Sequence, residues 1–248
     1  MPLHQAPPPA PPAPPAPARV LRSLRLWFDS AAAAPANDAD ADRVDWLRVL
    51  PFVLLHLGCA GVIWVGVSPV ALLVAGALYA LRMFAITGFY HRYFSHRSFR
   101  TSRGLQFVFA LIGAASVQRG PLWWAAHHRH HHRYADQAQD PHSPRHGFWR
   151  SHMGWFMTPR AFATDLSRVQ DLARYPELRW LDRYDVAVPL AMAIALYATG
   201  ALLQHLWPAL DTSGAQLLVW GFFISTVVLF HATVTINSLS HRFGSRRF

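Results

Sequence analysis

Fifteen of the 248 residues are histidine, and they cluster. Neutral imidazole is the commonest metal ligand in proteins. The first cluster is His91-Arg-Tyr-Phe-Ser-His96, and the second is the run His127-His-Arg-His-His-His132. Within that run His128, His131 and His132 have the i, i+3, i+4 spacing that puts side chains on one face of a helix. The third is Asn237-Ser-Leu-Ser-His241, where Asn237 and His241 are four residues apart and also share a helical face. The single cysteine, Cys59, excludes an intramolecular disulfide framework and any cysteine-based zinc or iron–sulfur site. An all-nitrogen site suits zinc, copper, iron or nickel. A mononuclear zinc needs only about three or four protein ligands. Six histidines (His91, His96, His128, His131, His132 and His241) plus an amide exceed that and point to a dinuclear site.

The elements that must position these clusters are apolar. The chain is 52% hydrophobic and only 15% charged, against about 25% charged in a soluble domain. Four runs, at about 47–67, 69–89, 186–207 and 215–236, are each long enough to cross a hydrocarbon core of about 30 Å. Their short links pair them into two helical hairpins. A further run at 104–117 is too short to cross and reads as a buried or interfacial helix. Four spans put residues 1–46, 90–185 and 237–248 on one side, so the ends of the second and fourth spans bring the first and third clusters to the HxxHH stripe. The expected fold is an all-α integral membrane protein: four transmembrane helices in two hairpins under a histidine-rich helical cap.

The net charge of +10 comes from 23 arginines and no lysine. Fourteen of them fall in residues 90–185, and the hairpin loops hold none. This bias places the cap in the cytoplasm. No nucleic-acid recognition module is present, which argues against that use of the basic charge. Arg82, about two turns before the end of the second apolar run, is expected to snorkel to the interface. Residues 1–45 read as a Pro/Ala-rich arm and linker, with the membrane domain at 46–248. Within the arm, residues 19–29 fit either a basic amphipathic helix on anionic lipid or a basic linker. His56, His205 and His231 read as packed or interfacial. His146 and His152 fit surface or ligand-supporting positions equally.

At these residues the chain resembles the membrane-bound fatty acid desaturases, and among them the acyl-CoA delta-9 desaturase-like branch. His91–His96 matches that family's HRxxSH box, His128–His132 its HRxHH box, and Asn237–His241 its NSxxH segment. Asp140-Pro-His142 and Ser151-His-Met-Gly-Trp155 are similar to its DPH and SHxGW segments. The resemblance covers about residues 45–248. It implies a di-iron centre with His91, His96, His128, His131, His132 and His241 as ligands and Asn237 bound through water. It also implies that Gln118 and Trp124 lie beside an acyl tunnel.

The implied reaction is O2-dependent desaturation of a fatty acyl chain. Its substrate is a fatty acyl thioester or acyl lipid, and its electrons come from a ferredoxin-, rubredoxin- or cytochrome-type protein. The implied location is a bacterial inner membrane with the site facing the cytoplasm. Asp136, Asp140 and Asp165 are candidates to fix the ligand histidines. The family's third box, a further HxxHH after NSxxH, does not occur before Phe248. The chain therefore looks like a desaturase truncated near its C-terminus, with weak or single iron occupancy and little activity expected of it alone. A histidine-rich metal-binding membrane protein without activity, and a related histidine-box hydroxylase, are the alternatives.

Overall fold

A computed structural model of the protein describes residues 16–33, 41–241 and 243. Four helices are long and apolar enough to cross a membrane: Trp46–Val65, Pro69–Ser95, Ala187–Leu206 and Gly214–Ser240. They coincide with the four apolar runs, and no strand occurs among the described residues. The first hairpin turns at Gly66, whose φ of +65° only glycine adopts without strain. Ser68 then caps the second span by accepting from the Ala71 N–H, with Pro69 at the first helical position. Ser213 caps the fourth span through Gln216 N. The two hairpin loops meet where the Ser68 hydroxyl reaches Thr212 Oγ1 at 3.0 Å. The short fifth apolar run forms the helix Arg103–Ala114, below spanning length as expected.

Arg82 does not snorkel. It is 1% exposed and donates to Ser225 Oγ at 2.6 Å, Thr226 Oγ1 at 2.7 Å and the Ala115 and Leu78 carbonyls at 3.1 Å. A guanidinium carries five donors on a planar fork. Here neutral oxygens on the second span, on the fourth span and just after Arg103–Ala114 satisfy that fork, so burial inside the bundle replaces a route to the interface.

Packed residues also occur before residue 46. Of residues 19–29, 19–28 are helical, as part of the helix Ala16–Phe28. Ser23 and Leu26 of this helix are buried. Pro51 in the first span lacks the N–H that would bond the Leu47 carbonyl. The Trp27 indole fills that place at 3.1 Å. Beyond the helix, Asp29 pairs with Arg183 and Ser30 Oγ donates to the Asp182 carbonyl. Asp42 pairs with Arg150 and Arg160. These contacts are made to residues more than a hundred positions away, which composition does not reveal. Residues 1–15 and 34–40 of the arm lie outside the described residues.

Arg82→Met would strip donors from Ser225, Thr226 and the Ala115 carbonyl. The expected loss is ~1–3 kcal/mol for each group left unsatisfied, read as a lower melting temperature in detergent, with Arg82→Lys intermediate. An unchanged melting temperature would show that Arg82 does not hold the bundle.

Candidate metal centre

The helix Pro121–Arg133 carries the second histidine cluster. Gly120, before its first turn, provides no side-chain cap. Asp182 supplies one from a distance: its carboxylate accepts from Trp123 N at 2.7 Å and from Thr164 Oγ1 at 2.7 Å. A Cβ on residue 120 would lie 2.4 Å from Asp182 Cα, so this approach requires glycine. Burial pushes the Asp182 carboxyl up to about 6, against the pull of the Trp123 N–H. Arg129, on the face of the helix away from the ligand stripe, ties it to the end of the second span. It donates to the Phe94 and Ser95 carbonyls at 2.8 and 3.1 Å and pairs with Asp171 at 2.8 Å.

The second span does not end as an α-helix. Residues Ala85–Ser95 are wound as a π-helix, and His96 N bonds the His91 carbonyl at 3.1 Å. In an α-helix residues five apart diverge, whereas an i→i+5 bond stacks them. The HxxxxH spacing therefore puts both rings on one face. His91 Nε2 lies 3.1 Å from His96 Nε2, which is 3.1 Å from His128 Nε2, which is 2.9 Å from His132 Nε2. The ligand atoms of these four residues all fall within 4.8 Å of one another. Burial, then the neighbouring imidazoles, pushes His128 down to about 2 and His132 to about 4, so both are neutral. Four imidazole nitrogens gathered this closely, with no carboxylate or thiol among them, fit a nitrogen-preferring transition metal.

His131 and His241 form a second group, their rings 5.2 Å apart. The Nδ1 of each meets a carboxylate: His131 with Asp140 at 2.8 Å and His241 with Asp136 at 2.9 Å. Those bonds fix the proton on Nδ1 and leave Nε2 as the free donor atom. Asp140 is fully buried. Burial raises it, but the His131 bond and the adjacent His142 and His131 rings outweigh this, and its net shift is downward. Asp165 takes no such part, because it caps Ser167 and pairs with Arg168. His142, from the Asp-Pro-His segment, packs 4.2 Å from the His131 ring and groups with His131 and Asp140. Its Nδ1 is buried without a hydrogen-bond partner. Sequence reasoning passed over His142 as a site residue, although that segment was the available signal. His127 and His130 point elsewhere, to the Trp123 and Gln139 carbonyls. His146 and His205 are exposed.

A cavity of about 630 Å³ adjoins the centre. Gln118, Trp124, His128 and Asn237 line it, with apolar side chains from the first, third and fourth spans and the charged Arg48, Arg119 and Asp185 also in the wall. Trp124 stacks on His128 at 4.8 Å. Gln118 donates to Thr233 Oγ1 at 3.0 Å. On either side of Gln118, Val117 and Arg119 have φ of +58° and +70°. A β-branched residue there costs about 1–3 kcal/mol, a strain that tends to collect at ligand sites. Asn237 lies in another π-helical turn, Ile236–Ser240, beside His241.

The sequence profile of the family described as "Fatty acid desaturase" matches residues 67–247. The chain belongs to the fatty acid desaturase family. It is 31% identical over 215 residues to an sn-1 stearoyl-lipid 9-desaturase of Anabaena variabilis, covering 83% of this chain and 72% of that one. It is 38% identical to an sn-2 palmitoyl-lipid 9-desaturase of Nostoc sp. (strain 36), covering 64% and 53%. It is 34% identical to an acyl-CoA C20 Delta5-desaturase of Anemone leveillei, covering 70% and 53%. The chain thus spans about half the length of the last two relatives.

Two results are expected of this site. His128→Ala should reduce bound metal to background, and Asp140→Asn should weaken metal binding about 10–100-fold by freeing the His131 ring. Both are read by metal analysis after dialysis, and unchanged metal content in either would contradict the assignment. Asp182 has a folded pKa above its unfolded one, so its stabilising contribution is full below about pH 4 and lost as pH rises through about 6. Asp182→Asn should therefore gain in melting temperature relative to wild type between pH 4 and 7, and a constant difference would refute the buried carboxyl.

Proposed function

We propose that this protein introduces a carbon–carbon double bond into a fatty acyl chain at a histidine-held pair of iron ions, with O2 as co-substrate. The observation that carries this reading is that His128 belongs both to the converging nitrogen cluster and to the wall of the apolar cavity. His91, His96, His128 and His132 would hold one iron. His131 and His241 would contribute to the other, with Asn237 acting through water. When bound, the iron supplies the oxidising power for –CH2–CH2– + O2 + 2e⁻ + 2H⁺ → –CH=CH– + 2H2O.

The protein's own residues hold and exclude. The apolar walls receive the acyl chain and keep bulk water from the reacting methylenes. Trp124, packed on His128, and Gln118, tethered to Thr233, fix the chain's path past the centre. Asp140 and Asp136 keep the Nδ1 protons of His131 and His241 in place. The substrate is a fatty acyl thioester or acyl lipid, the two classes named for the relatives. Electrons come from a small donor protein of ferredoxin, rubredoxin or cytochrome type. The arginine-rich cap faces the cytoplasm, as the positive-inside bias favours, at a bacterial inner membrane.

The test is the fatty acid profile of cells that make this protein and are fed stearate. A new monoenoic acid is expected, absent with His128→Ala and reduced with Trp124→Ala. A hydroxylated product in its place would assign the sister chemistry. No product dependent on His128 would leave only a metal-binding role.

A further inference from the structure

Three histidines outside the centre are joined end to end. His56, in the first span, has Nδ1 at 2.8 Å from the Phe52 carbonyl and Nε2 at 3.1 Å from His231 Nε2, in the fourth span. His231 Nδ1 lies 3.0 Å from His152 Nε2, in the cap helix Phe148–His152. His152 Nδ1 lies 2.9 Å from Ser238 Oγ. The His152 and His231 ring centroids are 5.3 Å apart and their planes 17° apart, so the two rings meet edge to edge. No carboxylate among the described residues bonds any of the three.

Three neutral rings have one order of protons that makes every contact a hydrogen bond. A carbonyl only accepts, so His56 must donate from Nδ1, and its Nε2 then accepts from His231 Nε2–H. His231 Nδ1 accepts in turn from His152 Nε2–H. His152 Nδ1 is left as an acceptor, and Ser238 must turn its hydroxyl to it, away from the competing Val234 carbonyl at 3.2 Å. The chain is a dead end, because the Phe52 carbonyl can neither supply nor pass on a proton. It is therefore not a conduit. Its far end grips Ser238, which sits between Asn237 and His241 in the π-helical turn.

We propose that His56, His231 and His152 are positioning residues: a hydrogen-bonded strut of fixed proton order that sets the turn presenting Asn237 and His241. The importance of that turn rests on the metal-centre reading above, but the proton order does not.

The test is ¹⁵N NMR of the full chain in lipid, labelled at histidine and read without added metal. At pH 7 a single tautomer is expected at each ring: Nδ1–H for His56, Nε2–H for His231 and His152. His56→Phe keeps a ring but removes the anchor, and should split His231 and His152 between two tautomers. His231→Phe should shift the His241 resonances while leaving those of His91 and His96 in place. Ser238→Ala, a smaller change, should also shift His241. The opposite proton order, an imidazolium in the wild type, or a His241 signal unmoved by both His231→Phe and Ser238→Ala would overturn the proposal. None of these signals depends on bound iron, so a failed metal assignment would show separately, in metal content.

Discussion

Imidazoles can crowd around one end of a helical bundle only if they are uncharged. Everything near the centre serves that constraint. Burial and mutual proximity hold His128 and His132 far below their ordinary values. Asp140 and Asp136 accept hydrogen bonds from Nδ1 of His131 and His241, which leaves their Nε2 lone pairs free. Arg129, inside the histidine run, is occupied by Asp171 and main-chain carbonyls.

The same contacts build the scaffold. Arg129 joins the histidine helix to the end of the second span, and Asp182 caps its first turn across the close approach that Gly120 permits. Arg82 links the second span, the fourth span and the segment after the short helix. Inside the spans Arg82 works where the hydrophobic effect is weak, since lipid tails and leucine side chains are equally apolar. The helices contribute length and direction, and a few fully satisfied polar groups determine which helix ends meet.

Much of this was legible in the sequence, because it is periodic. Spans are read from run length, and the His128, His131, His132 stripe from helical spacing. That stripe, however, divides its members between two groups, His128 and His132 facing the second span's pair and His131 facing His241. The meeting of His91 with His96 depends on a π-helical turn, which no residue-type pattern announced. Arg82 looked like an interfacial arginine because its acceptors are far along the chain. The N-terminal segment was ambiguous because the partners of Asp29 and Ser30, just after its helix, are Arg183 and Asp182, far along the chain. His142 sat in a motif that was seen, but spacing alone did not place its ring against His131. His56, His152 and His231 are isolated in sequence and become a unit only when two spans and the cap pack together.

The central claim is that clustered imidazoles of this desaturase-family chain hold iron beside an apolar cavity. X-ray absorption at the iron edge of the purified, iron-loaded protein tests it most directly. The account expects a first shell of nitrogen and oxygen at about 2.0–2.2 Å with the outer-shell scattering of several imidazoles, lost in the His128→Ala variant. Sulfur in the first shell, or an iron signal identical in wild type and variant, would contradict it.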